Sequence, residues 1–328
     1  MSNEKTKSKN KYIRKASVLF ELMRPKQWIK NVVVFIPLFF SAQLFTGDLF
    51  FKNFYVFIAM CLLSSSVYIL NDIIDYPRDR SHPIKKNRPI PSGRIDIFSA
   101  FILMTMLLIV SLVYGFWCLQ SEYFIILQLA YYLMMLVYSL WLKNVEIIDT
   151  IIISLGFILR VFAGAIVLQL QTSALLGITI ILGALLISFG KRRAEMSIMQ
   201  RQELINYRPG IGVYSTVVLN SIISGLFAAT FMAYVLFCYS FVGATVNANL
   251  TQFLPPLLRN VKWLLITVPF AFYTLVRYLI LVYKGGDVAD RPEDLWFEDK
   301  RVLFSALIWL VVLFLLIYSD NLIGVLKF

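Results

Sequence analysis

Charge is what this chain has little of. Of its 328 residues only 15% are charged and 59% are hydrophobic, where a soluble domain carries about 25% charged residues. An ordinary water-soluble globule is thereby excluded, because the apolar runs are long and a bilayer-spanning helix needs about 20 such residues. Histidine is scarcer still. The one example, His82, is not a metal site by itself and leaves the chain without an obvious catalytic histidine. The three cysteines, Cys61, Cys118 and Cys238, lie in or beside apolar segments. Their spacing fits no zinc or haem motif, and an odd count leaves one over from any disulfide, so they read as packing residues. The N-terminal "MSNEKTKSKNKYIRKAS" lacks a signal peptide's short basic start and small-residue cleavage site. Residues 1–12 read as a disordered basic tail and 13–328 as a single membrane domain. No short repeat stands out.

What is present is hydrophobic length. Nine candidate spans run through about 28–46, 53–71, 97–118, 122–141, 147–168, 173–190, 214–240, 261–283 and 302–320, which makes the fold class all-α integral membrane. The basic amphipathic stretch 13–23 suits the membrane surface. A net charge of +12 raises the question of nucleic acid, but its distribution answers it. With the N-terminus inside, 25 of the 31 Lys and Arg residues fall on inner segments and four on outer ones. That is a positive-inside pattern, so membrane lipids and not nucleic acid account for the charge. The pattern places the N-terminus in the cytosol of a cell-membrane protein and the C-terminus outside. It does not account for the Asp, Asn and Glu residues on the same inner loops, which point to chemistry on the cytosolic side.

Those residues concentrate in "NDIIDYPRDRSHPIKKNRPIPSGR", Asn71–Arg94. On a helix, Asp72, Asp75 and Asp79 at i, i+3 and i+7 share a face, as do Asn71, Asp75 and Asp79 at i, i+4 and i+8. Pro77 is expected to end or kink that helix and to turn Asp79 off the face. Clustered carboxylates at a water boundary repel unless a cation lies between them, and Mg²⁺ commonly takes one or two carboxylates with substrate phosphates.

"NDIIDYPRD" also fits the NDxxDxxxD motif of the UbiA superfamily of intramembrane prenyltransferases, and the chain resembles that family. The resemblance implies a nine-helix bundle around a cytosol-facing central cavity, with Mg²⁺ and a diphosphate held by Asn71, Asp72, Asp75 and Asp79. Asp72 and Asp75 are then the candidate catalytic pair. Family members usually carry a second aspartate motif after the sixth helix. Here the matching loop, "SFGKRRAEMSIMQRQEL" (Ser188–Leu204), has no DxxxD and offers Lys191, Arg192 and Glu195. This loop resembles the decaprenyl-phosphate phosphoribosyltransferase branch. So do "LMRPKQWIKNVVVFIPLFFS" (Leu22–Ser41), "HPIKKNRPIPSG" (His82–Gly93) and "RPEDLWFEDKRVL" (Arg291–Leu303). The implied reaction moves 5-phosphoribose from phosphoribosyl pyrophosphate to a polyprenyl phosphate.

Other residues join the candidate substrate site. Lys26 and Lys30 are i, i+4 at the entry to the first span, beside Asn31. Lys85 and Arg88 sit in a proline-punctuated loop. Tyr138 and Lys143 close the fourth span. Arg160 lies deep in the fifth, where an ionised residue usually faces a polar cavity, and Asp149 is a possible partner for it. Lys191 and Glu195 are spaced to pair. Two other readings compete with the first: a conventional UbiA prenyltransferase with an aromatic or lipid-alcohol acceptor, and a transporter. The oligomeric state, a homo-oligomer included, is left open.

Overall fold

The computed structural model describes residues 16–81, 85–202, 215–241, 262–284 and 299–319, with side chains except at 197–202. The expected tail 1–12 and the segment 291–298 lie outside the described residues. Among the described residues there is no strand. Residues 16–22 are helical, and Pro25–Phe35 follows as a 3-10 helix. The α-helices are α1 (Ile36–Phe40), α2 (Gly47–Arg80), α3 (Ile97–Tyr114), α4 (Glu122–Leu140), α5 (Ile148–Leu168), α6 (Ala174–Gln202), α7 (Thr216–Ser240), α8 (Val268–Lys284) and α9 (Lys300–Ile317). A π-turn, Gly115–Leu119, extends α3, and a 3-10 turn, Trp263–Thr267, leads into α8.

Eight of these helices, α2 to α9, are long and apolar enough to cross a membrane. The chain is a multi-pass membrane protein. The first expected span, 28–46, is not one long helix. It is the 3-10 segment joined to the five-residue α1. Prolines mark both joints. Pro25 starts the 3-10 turn, and Pro37, in the first turn of α1, has no N–H to continue an α-helical ladder from the preceding segment.

The described residues form two compact units. One comprises residues up to Ile36, Asp48–Lys143 and Leu159–Gln169. The other comprises Pro37–Gly47, Asn144–Ile158 and the described residues from Leu170 onward. In the first unit α2 buries Val56, Ala59, Met60, Leu63 and Val67 against Phe124, Leu127, Tyr131 and Met135 of α4. The spacing within each set follows the helical repeat. Small polar residues fasten the helices where lipid supplies no hydrophobic drive between them. Ser66 Oγ donates to the Met104 carbonyl at 2.9 Å and Ser111 Oγ to the Ala59 carbonyl at 2.8 Å. Gly164 lets α5 come close: a Cβ there would run into the Val34 carbonyl and crowd Asn53 Oδ1.

In the second unit Leu186 and Phe189 of α6, Leu219 and Ile223 of α7 and Val282 of α8 form the core. The Trp309 indole donates to Tyr234 Oη at 2.8 Å, and Tyr234 pairs with Thr267 at 2.5 Å. The outward faces carry exposed Phe98, Trp117, Tyr123 and Phe304, the surface that lipid tails and headgroups would cover. Side-chain N-caps start several helices: Asp96 accepts from Ser99 N on α3, Ser121 from Phe124 N on α4, and Asp299 from Arg301 N and Val302 N on α9.

Candidate active site

The aspartate motif sits on the last turns of α2. Pro77 does not end this helix, which continues to Arg80. A proline deprives only the carbonyl four residues back of its partner. Here that is Ile73, seven residues before the end of α2, and the helix runs on past the loss of that one bond. Asp79 therefore stays on the helix, and the expectation that it turns away is corrected. At about 100° per residue, Asp79 lies about 20° round the helix from Asp72, whereas Asp75 lies about 60° round. The contacts follow this division.

Asp72 and Asp79 are both buried, and they converge on one nitrogen. Arg88 Nη1 donates to Asp72 Oδ1 at 3.0 Å and to Asp79 Oδ2 at 2.6 Å. Arg24 Nη2 also donates to Asp72 Oδ1, and its guanidinium lies over the Tyr68 ring at 5.6 Å. Asp75 goes elsewhere and accepts from Lys143 Nζ at 2.5 Å. Asn71 is half-buried on the same helix. Among the described residues no three His, Cys, Asp or Glu side chains gather as one metal-holding group. The three motif aspartates thus divide into an Asp72–Asp79 pair bridged by Arg88 and a separate Asp75 paired with Lys143. Two buried carboxylates within reach of one cationic nitrogen do fit Mg²⁺, which needs one or two carboxylates when phosphates complete its shell.

In the same unit, Lys26 is exposed, while Lys30 and Lys85 are half-buried. The 3-10 segment is fixed to α2 through Trp28 Nε1 to Ser65 Oγ at 2.9 Å and Asn31 Nδ2 to Ser64 Oγ at 3.0 Å. Asn31 is buried. Its Oδ1 accepts from Arg160 Nε at 2.8 Å, and Arg160 Nη2 donates to Tyr131 Oη at 2.5 Å. Arg160 is 4% exposed and stacks on the Tyr131 ring at 5.0 Å. Asn31 and Arg160, expected separately as substrate contacts, are brought together as one internal network.

The basic loop residues belong to the second unit. Arg192 is buried between two carboxylates, with Nη2 on Asp149 Oδ2 at 2.7 Å and Nη1 on Glu195 Oε2 at 2.5 Å. Asp149 pairs with Arg192, not Arg160; eleven residues of helix separate Asp149 from Arg160 by about 16 Å. Glu195 pairs with Arg192 where pairing with Lys191 was expected, and Lys191 is half-buried. Elsewhere in this unit Arg277 Nη2 donates to Asp299 Oδ2 at 2.7 Å. Burial opposes the Asp299 charge, but Arg277 and the N–H groups of Arg301 and Val302 outweigh it and hold the carboxyl below its usual value.

Arg24 is the contact residue that sequence reasoning passed over. It stands in the quoted Leu22–Ser41 stretch directly before Pro25, among lysines and arginines that positive-inside topology already explains.

The UbiA prenyltransferase family model matches residues 33–297. The chain belongs to the UbiA prenyltransferase family. Among UbiA relatives, the decaprenyl-phosphate phosphoribosyltransferase of Mycolicibacterium smegmatis is 28% identical over 302 residues, 90% of each chain. The protein of the same name from Mycobacterium tuberculosis is 27% identical over 296 residues, 88% of this chain and 90% of that one. Among solved structures, a UbiA homolog from Archaeoglobus fulgidus bound to DMAPP and Mg²⁺ superposes with a TM-score of 0.61 at 13% identity, covering 91% of this chain and 98% of that one. A digeranylgeranylglyceryl phosphate synthase gives 0.62 at 17% identity, over 93% and 99%. These two likenesses carry the fold.

Proposed function

We propose that this UbiA protein transfers 5-phosphoribose from phosphoribosyl pyrophosphate to a polyprenyl phosphate and releases pyrophosphate. The supporting observation is the similarity to decaprenyl-phosphate phosphoribosyltransferases over nine-tenths of both chains. In this reaction a lipid phosphate oxygen forms the new bond to ribose C1 as the bond from C1 to the pyrophosphate oxygen breaks. The attacking oxygen is already ionised at neutral pH, so the chain needs no dedicated general base, in keeping with its single histidine.

Asp72 and Asp79 are the residues that would hold Mg²⁺, in line with the Mg²⁺ named in the Archaeoglobus homolog. Bound there, the ion would supply positive charge to the departing pyrophosphate. Arg24 and Arg88 flank those carboxylates, and Lys26, Lys30 and Lys85 add positive charge in the same unit. Such preplaced charge is usually the largest catalytic term. Lys143 holds Asp75 in place beside them. Of the basic loop, Lys191 is the stronger phosphate candidate, since Arg192 is already balanced by Asp149 and Glu195. The positive-inside pattern supports a cytosolic site.

The test uses purified protein with labelled phosphoribosyl pyrophosphate, several polyprenyl phosphates and Mg²⁺, beside a parallel reaction with geranyl diphosphate and an aromatic acceptor. Lipid-linked phosphoribose from the first reaction is expected. Product from the second alone would establish the conventional prenyltransferase in its place.

A further inference from the structure

The Asp72–Asp79 pair has two guanidinium partners, and the two are held differently. Arg24 lies in the left-handed region at φ 53° and ψ 60°, directly before Pro25, with its guanidinium over Tyr68 at 5.6 Å. A non-glycine residue keeps that conformation only where its surroundings over-determine it. Arg88 follows the one-turn 3-10 helix Lys85–Asn87; its side chain is 31% exposed, little more than the 27% of Arg24, so the difference lies in how the backbone and Tyr68 hold Arg24. Arg24 reaches Asp72, whereas Arg88 Nη1 bridges Asp72 and Asp79 at 3.0 and 2.6 Å.

An ion shared by those two carboxylates would need the space that Arg88 Nη1 fills, since Mg²⁺ sits about 2.0–2.1 Å from its oxygen ligands. The two cations exclude each other by size and by charge. The four side chains as they stand are neutral together. Adding a divalent ion while Arg88 withdraws to the rim leaves two positive charges, which suits a multiply charged pyrophosphate.

Resting on the reading that Asp72 and Asp79 hold the metal, we propose that Arg88 is an exchangeable counter-cation. The divalent ion displaces its guanidinium from between the carboxylates, and the freed guanidinium takes a phosphate oxygen of the donor. Arg24 remains on Asp72. Metal alone must evict Arg88 with no new partner for it, whereas metal with donor gives it one. Metal and donor therefore bind with positive coupling, and by linkage each raises the other's affinity equally.

The experiment titrates the full chain in detergent with Mn²⁺, reading free ion by electron paramagnetic resonance, with and without phosphoribosyl pyrophosphate. For the native protein the donor should tighten Mn²⁺ binding within the usual coupling range of about 5–150-fold. Arg88→Gln should bind Mn²⁺ alone more tightly than native, by roughly 5–10-fold, and lose most of the donor's effect, as expected when a competing charge is removed. Arg88→Met should shift the same way, so whichever variant folds decides. Mn²⁺ affinity that is unchanged or weaker in the folded neutral variant overturns the exchange. Asp72→Asn and Asp79→Asn report on the underlying reading: native-like Mn²⁺ binding in both would remove the metal site itself, and the exchange with it.

Discussion

Replacing Arg160 by methionine tests whether the buried guanidinium belongs to the scaffold of the first unit. It is 4% exposed and donates to Asn31 Oδ1 at 2.8 Å and Tyr131 Oη at 2.5 Å. Methionine has similar length and no donor, so both acceptors lose a charged partner. Hydrogen bonds to charged groups contribute about 1.5–3 kcal/mol each, although side-chain hydrogen bonds measured within membranes average nearer ~0.6 kcal/mol. Removing the cation also relieves several kcal/mol of burial cost, which offsets part of the loss. Taking the two bonds at the charged-group value, about 3–6 kcal/mol together, and subtracting that relief leaves a net destabilisation of about 2 kcal/mol. At about 2–4 °C per kcal/mol for a large domain, the unfolding midpoint should fall by about 4–8 °C. Tyr131→Phe keeps the ring beneath the guanidinium at 5.0 Å but removes one acceptor without relieving the cation's burial, so a loss of about 1.5–3 kcal/mol, comparable to that of Arg160→Met, is expected. Thermal unfolding in detergent reads the midpoint. Metal and donor titrations well below it should leave affinity within about threefold of native, less than about 1 kcal/mol. An unchanged midpoint with lost donor binding would refute this reasoning and make Arg160 a substrate contact.

Gly164→Ala should destabilise by about 1–3 kcal/mol, the usual range for overpacking, because its methyl group meets the Val34 carbonyl; a native midpoint in the same thermal assay would contradict the close approach. The Asp299 carboxyl is held below its ordinary value, so its contribution is present above the unfolded pKa, about 3.9, and fades as pH falls through the lower folded value. Melting curves from neutral pH downward should show that loss, and Asp299→Asn should abolish it. Topology reporters fused after Arg94 should read cytosolic and after Gln120 external. The reverse pattern would invert the whole placement.

Local periodicity makes much of this molecule readable in its sequence. The spans from α2 to α9 emerge from hydrophobic length, and the Asp72–Asp79 face from helical spacing alone. Partnership across the chain is harder to read. Arg24 meets Asp72 across 48 positions and Arg160 meets Asn31 across 129, and no local rule marks either pair. The first span departs from expectation because apolar content measures hydrophobicity and not hydrogen bonding, while the prolines at 25 and 37 set the backbone. Pro77 departs in the other direction: the helix runs through it to Arg80 and gives up the partner of one carbonyl, that of Ile73.

Among the described spans, the helix that carries the carboxylates is also the one most enclosed by protein. In the apolar window of α2, 67% of residues are buried, against 17% in the segment Trp263–Lys284. Bilayer thickness and lipid composition act on a helix through the side chains it shows to lipid. Helix α2 shows few, so the spacing of Asp72 and Asp79 is insulated from the membrane around it. The two carboxylates keep their spacing in membranes that differ, with adaptation falling to the lipid-facing helices.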